Sequence, residues 1–139
     1  MAALKLAIAG ANAERGWARD THIPALSAIP GIELYAVSAR NQDIADVAAQ
    51  TFGATKAYGD SLEMARDPDV DIVAVLVKVP EHRAIVLAAL FAPRLGRRLL
   101  VSGHLRLPVA TDVIADTRRT RAPWRVFLFR FYGRPDPKA

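Results

Sequence analysis

The sequence predicts an α/β domain built on a doubly wound parallel sheet, and three observations carry that prediction. The apolar run Leu4–Ala9 ends on Gly10 and is too short for a helix, which suits a buried central strand. Strand-like and helix-like segments then alternate as far as Phe91, punctuated by glycine and proline. Val70–Val79 (VDIVAVLVKV) is nearly continuous in β-branched and aliphatic residues, the pattern of a strand buried on both faces. At 139 residues the chain is long enough for one domain with a real core.

Each element has a local reason. After the first strand, Ile23–Ile29 suits a helix with Pro24 in its first turn, and Pro30-Gly31 stops it. Glu33–Ala39 follows as the second strand. Asn41 is a natural N-cap with Asp43 in the first turn; Ile44, Val47, Ala48 and Phe52 recur at helical spacing until Gly53 closes the segment. Thr55–Tyr58 reads as a short third strand and Asp60–Ala65 as a short helix. Val70–Val79 is the fourth strand, ended by Pro80, and Glu81–Phe91 sets Ile85, Val86, Ala89 and Leu90 on one side of a helix. Four strands and four helices result.

Composition narrows the function classes. The chain is 52% hydrophobic and 24% charged, the make-up of a soluble globular protein. It holds no cysteine, so disulfides, thiol catalysis and cysteine-ligated zinc all drop out, and a reducing, cytoplasmic setting is the expectation. No secretion leader is visible, and no apolar run approaches the roughly 18 residues of a membrane span. The net charge of +5 is unevenly placed: residues 1–93 carry 8 Lys+Arg against 11 Asp+Glu, whereas residues 94–139 carry 11 against 3, ten of the eleven cations being arginine.

Taken together, the motifs AIAGAN at the first strand end, THIPAL after it, AVSAR at the second strand end, AQTFGA, DPDVDIVAVLV and VPEHRAIVLAAL carry a family resemblance. Residues 1–91 resemble the amino-terminal NAD(P)-binding Rossmann domain of the Gfo/Idh/MocA oxidoreductases. RGWA at Arg15–Ala18 and VKVPEH at Val77–His82 resemble the branch that includes the galactose-regulon repressor. The resemblance implies a truncated Rossmann-like sheet without the family's carboxyl-terminal α+β substrate domain. It also implies oxidoreductase chemistry on sugars or polyols, with NADP or NAD as the cofactor.

The glycine loop departs from the usual fingerprint. In G-x-G-x-x-G the first glycine makes the turn, the second admits the pyrophosphate and the third packs the helix. Here Gly10 holds the first place, Asn12 the second and Arg15 the third, with Gly16 one residue later. A phosphate then depends on amides of the loop and the following helix, with Arg15 or Arg19 adding charge; a plain strand-to-helix turn with solvated arginines is the bland alternative. At the second strand end an acidic residue would select NAD and an arginine NADP. The chain offers Ser38, Arg40 and Asn41, with no carboxylate before Asp43, which favours NADP mildly. By resemblance, Lys78, Pro80 and His82 border the nicotinamide side, and His22 packs under the phosphate loop. His82 could touch the cofactor or substrate, but it reads more readily as an ordinary residue of a helix first turn. Neither histidine has partners suggesting a metal or a nucleophile triad, so no catalytic or metal-binding residue is assigned.

The remaining stretch, residues 92–139, diverges from the pattern. The family's next strand leads to a Glu-Lys-Pro or Glu-Trp-Pro motif whose lysine, where present, supports hydride transfer; this chain instead reads FAPRLGRRLLVSGHLRLPV. Codons compatible with Leu100–Leu105 spell Cys-Glu-Trp-Pro-Leu in a shifted frame, so we expect a frameshifted, arginine-rich segment that completes or flanks the sheet. Leu99–Val101 and Trp124–Tyr132 have strand propensity and Val109–Thr117 helix propensity. Without a regular fifth strand, the fourth would present an open apolar edge.

Function then has three readings. The first is a dinucleotide-binding domain of an oxidoreductase, inactive as this fragment; the second is a non-catalytic NAD(P)-sensing regulator. A basic nucleic-acid-binding protein, acting through arginines interleaved with Trp124, Phe127, Phe129, Phe131 and Tyr132, is the remote third. No membrane partner is expected, and the oligomeric state is left open.

Overall fold

A computed structural model describes residues 2–92, 98–102 and 126–129. Its strands are β1 (Leu4–Ala9), β2 (Ile32–Ser38), β3 (Lys56–Tyr58), β4 (Ile72–Val75), β5 (Arg98–Ser102) and β6 (Val126–Phe129). The helices are α1 (Ile23–Ser27), α2 (Gln42–Phe52), α3 (Ser61–Arg66) and α4 (Val79–Leu90), and a π-helical turn spans Ala18–His22. All pairings are parallel, and the sheet order is β3-β2-β1-β4-β5-β6. The chain therefore winds outward from β1 in one direction and from β4 in the other, as in a Rossmann sheet.

The apolar runs of β1 and β4 are continuous because both their faces are covered. Ala7, Ala9, Val73 and Val75 join Met64, Val70, Ile85 and Ala89 in one core, under α3 and α4. Leu6, Ile8, Ile72 and Ala74 join Val37, Ala48 and Ala49 in the other, under α2. The alternation is that of a pleated strand, whose successive side chains point to opposite faces. The β1–β2 register skips Tyr35 between Leu34 and Ala36, so Tyr35 and Ala36 both lie in the first core.

Helix boundaries follow their caps. The Asn41 side chain accepts the Ile44 amide at 3.0 Å, and Gly53 ends α2 at φ 75°, a left-handed turn that glycine adopts without strain. Asp60 caps α3 by accepting the Leu62 amide at 2.8 Å. β4 is shorter than its apolar run: it stops at Val75, Lys78 is the N-cap of α4, and Pro80 lies in the first helical turn. The proline that was expected to terminate the strand instead opens the helix, since its missing N–H has no helical partner there.

β5 pairs with β4 from Ile72↔Arg98 to Val75↔Val101, so the flank of β4 is occupied and the expected open edge beside it does not exist. β6 lies beyond β5. The segment expected to be helical, Val109–Thr117, falls outside the described residues.

A polar cluster ties β3 to the α3–β4 connection. The Asp67 carboxylate is almost fully buried; it accepts the Tyr58 hydroxyl at 2.5 Å and the Lys56 ammonium at 3.0 Å, and its other oxygen accepts the Asp69 amide at 2.8 Å. The Tyr35 hydroxyl donates to Asp69 at 3.2 Å, and Lys5 and Lys56 approach its ring at 4.6 and 5.2 Å from the centroid. Burial pushes against ionisation of Asp67, yet the bonds from Tyr58, the Asp69 amide and Lys56 outweigh it and hold the carboxyl below its usual value. Burial, followed by the bond to Asp67, pushes the Tyr58 hydroxyl up to about 12.

Candidate functional site

At the carboxyl ends of the strands, a cavity of about 670 Å³ opens where the winding reverses between β1 and β4. Such switch points are where ligands enter open α/β sheets. Residues of four connections form its wall: Gly10, Ala11, Asn12 and Arg15 after β1, Ala39, Arg40 and Ile44 after β2, Gly59–Leu62 after β3, and Val77, Lys78, Glu81, Ala84 and Ile85 after β4.

Gly10 makes the first turn at φ 91°, and a Cβ there would lie 3.0 Å from the Leu76 carbonyl carbon and from Val77 N and Cγ1. Only glycine suits both the backbone conformation and this approach. The Gly10 and Ala11 amides both donate to the Ser38 carbonyl, at 3.0 and 2.8 Å. Asn12 accepts the Glu14 amide at 2.8 Å and the Arg15 amide at 3.3 Å on its side-chain oxygen. That side chain therefore folds the loop where the second glycine would leave it bare. Among the described residues, the Asn12, Ala13, Gly16 and Trp17 amides have no protein partner, and of these four residues Asn12 lines the cavity.

Helical structure begins only at Ala18, so the amides of a following helix do not sit directly after Gly10 as the fingerprint supposes. The intervening chain is braced from within. Arg19 donates to the Glu14 carbonyl at 2.8 Å and lies 3.7 Å from Asp20, which directs its charge to the loop's own backbone. The His22 Nδ1 donates to the Trp17 carbonyl at 3.1 Å, so its bond is to the segment after the loop.

Of the residues singled out in the sequence, Gly10, Asn12, Arg15, Arg40 and Lys78 line the cavity. Ser38, Pro80 and His82 do not. Ser38 is fully buried and exchanges a 2.8 Å bond with the Ser61 hydroxyl, so it reaches the cavity only through Ser61. Pro80 is exposed on the first turn of α4. His82 is buried, with Nε2 2.6 Å from the Val77 carbonyl.

Sequence reading missed the β3–α3 turn, which contributes Gly59, Asp60, Ser61 and Leu62. A Cβ on Gly59 would come 2.8 Å from the Gln42 amide nitrogen, and the Gln42 side chain accepts the Gly59 amide at 2.8 Å while donating to the Ala57 carbonyl at 3.2 Å. This stitching brings Asp60 to the same cavity as Arg40, although twenty residues separate them. In the sequence, Gly-Asp-Ser before an apolar residue signals only a helix cap. Asp43, the first carboxylate after β2, is exposed and outside the lining.

Among the described residues no cluster of His, Cys, Asp or Glu has metal-ligating geometry, and no helix is long and apolar enough to cross a membrane.

The sheet order, the glycine turn and the cavity at the switch point define a Rossmann-type nucleotide-binding domain. Residues 4–94 match the GFO_IDH_MocA family model, described as an oxidoreductase family with an NAD-binding Rossmann fold, and the chain belongs to that family. It is 32% identical over 114 residues to the trans-1,2-dihydrobenzene-1,2-diol dehydrogenase of Xenopus tropicalis, covering 79% of this chain and 32% of that protein. That match includes more than residues 1–91 can supply, so it extends into the carboxyl-terminal segment. The chain thus spans about a third of the length of this curated relative. Among solved structures, an NAD-binding oxidoreductase from Klebsiella pneumoniae superposes with a TM-score of 0.70 at 26% identity, covering 91% of this chain and 34% of that one. The transcriptional regulator Gal80p from Kluyveromyces lactis superposes with a TM-score of 0.72 over 91% of this chain and 32% of its own; at 20% identity this likeness is one of fold.

Proposed function

We propose that the cavity binds an NADP or NAD molecule, NADP being preferred, and that the chain supplies the dinucleotide-binding part of an oxidoreductase acting on sugars or polyols. The observation that carries this reading is the conjunction of Gly10, closely approached by Val77, with the Asn12 amide, which has no protein partner among the described residues, at the switch point. Such a turn gives a pyrophosphate room and a backbone donor, and Arg15 adds charge beside it. With a pyrophosphate there, Arg40 and Asp60 would hold the adenosine half and the lining residues from Val77 to Ile85 would hold the nicotinamide half. Arg40 is exposed and has no ion-pair partner among the described residues, which leaves its guanidinium for a 2′-phosphate. Asp60 already caps α3, but its second oxygen remains as an acceptor for ribose hydroxyls.

When bound, the nicotinamide supplies hydride transfer; the residues of this chain bind and orient it. Lys78 and Glu81 are the ionisable groups lining that end of the cavity among the described residues. They do not form an ion pair with each other, and we assign neither a catalytic step. The 139-residue chain is accordingly expected to bind without turnover. The named substrate of the Xenopus relative is a cyclic vicinal diol, a grouping that sugars and polyols share, which supports this substrate class for the complete catalytic unit.

Calorimetric titration with NADP and NAD tests the reading. Binding of either at micromolar to millimolar concentration supports it, with NADP the tighter; failure of both to bind would sink it. Turnover of any sugar or polyol by this chain would overturn the inactivity. The fold, shared by the Gal80p regulator and the oxidoreductases alike, does not separate this reading from the second, a non-catalytic dinucleotide-sensing regulator. A partner whose affinity changes with dinucleotide would select it. Sequencing the gene beyond the Phe91 codon tests the frameshift: a shifted frame that fails to continue as a relative removes it.

A further inference from the structure

The last sheet bond along β4 runs from the Leu76 amide to the Ala9 carbonyl, at 2.8 Å, and the chain then turns into α4. The next carbonyl, that of Val77, lies 2.6 Å from Nε2 of His82, a residue in the first turn of the helix. A carbonyl only accepts, so Nε2 carries a proton and donates it in this bond. Nδ1 is buried with no partner among the described residues, and the residue is 1% exposed. The fold therefore tolerates one unsatisfied buried atom while keeping the bond made by the other nitrogen. Lys78, the N-cap of α4, makes no side-chain capping bond, which leaves His82 as the side-chain tie across this turn.

The turn is part of the cavity wall. Val77 N and Cγ1 press against Gly10, and Val77, Lys78 and Glu81 all face the cavity. We infer that His82 is a positioning residue: it fixes the β4–α4 turn, and through it the nicotinamide end of the site, without touching the cofactor. This deepens the dinucleotide reading and rests on it. Loss of the bond frees the Val77 carbonyl and lets the turn shift where it meets Gly10. A ligand reaching that turn then loses affinity, whereas one confined to the Arg40–Asp60 end does not.

The test uses the full 139-residue chain and its His82→Gln, His82→Asn and His82→Ala variants, titrated with the tighter dinucleotide and with its adenosine half (adenosine 2′,5′-bisphosphate for NADP, AMP for NAD). The glutamine amide reaches the place of Nε2, and the shorter asparagine amide does not. Loss of one bond of this kind is expected to weaken dinucleotide binding about fivefold in H82A and H82N. H82Q should stay within about twofold of the unmodified chain, and adenosine-half binding should stay within about twofold in all three variants. The inference is overturned if H82A binds the dinucleotide as well as the unmodified chain, if H82Q is as weak as H82A, or if adenosine-half binding falls in parallel with dinucleotide binding. Absence of dinucleotide binding by the unmodified chain is seen before any variant is compared, and marks failure of the nucleotide reading itself.

Discussion

The loop from Gly10 to His22 and the cluster around Asp67 are both polar and both lie at connections of the same sheet, yet they differ in what their groups are bonded to. In the cluster, Lys56, Tyr58, Tyr35, Asp69 and the Asp69 amide are bonded to one another or to Asp67, so the carboxylate is surrounded by donors of the protein itself. In the loop, Asn12, Arg19 and His22 each satisfy part of the backbone, while Asn12, Arg15 and Arg40 line the cavity and the Asn12 amide and the two guanidiniums have no protein partner among the described residues. Mutual satisfaction makes a structural joint. Groups left unsatisfied at a switch point make a place for an anion.

The comparison is broken most sharply at Gly10. Gly10→Val combines a positive φ with contacts at 3.0 Å to backbone and side chain, and is expected to abolish dinucleotide binding and to lower stability by about 3 kcal/mol, since both strain and overpacking act at once. Calorimetry and urea unfolding measure the two effects separately. Asp67→Ala should lower stability by a similar about 3 kcal/mol, because it removes a buried carboxylate with two charge-assisted or strong partners, but leave dinucleotide affinity unchanged. A parallel loss of binding in D67A would show that the two regions are not separate.

Arg40→Ala is expected to do the reverse. NADP affinity should drop about tenfold, near 1.4 kcal/mol, with NAD affinity and unfolding midpoint unmoved. Equal losses for both dinucleotides would remove the 2′-phosphate from the Arg40 assignment. The smallest effect concerns pH. The Tyr58 hydroxyl ionises at about 12 in the fold against 10.0 ordinarily, so the fold favours its neutral form. Its contribution is complete below pH 10 and is lost as pH rises from 10 towards 12. The Asp67 carboxyl is shifted downward, so its contribution is complete above its ordinary value of 3.8 and is lost as pH falls below it. Tyr58→Phe should flatten the alkaline limb of a stability profile and leave dinucleotide binding as it was.

The elements were legible where one local signal dominated. Asn41 and Gly53 mark α2 at both ends, because a capping side chain and a left-handed glycine are decisions of a few neighbouring residues. The run at Val70–Val79 revealed a buried strand but not its end: the same apolar residues serve strand, turn and helix start, and the Leu76–Ala9 bond marks where the ladder stops. His82 reads from the sequence as a helix first-turn residue that could also reach a ligand. In the fold it is buried, with Nε2 bonded to the Val77 carbonyl.

The sequence by itself determined the alternation that makes a parallel sheet, the glycine at the first turn and the arginine at the end of β2, since each is fixed by local periodicity or backbone conformation. Only the tertiary structure decided that Asp60 and Ser61 face the same cavity as Arg40, that Asn12 folds the loop on itself, and that β5 covers the flank of β4. Those facts depend on pairings between residues far apart in the chain. Gln42 stitched to Gly59 and Gly10 pressed on Val77 are contacts that no window of the sequence contains.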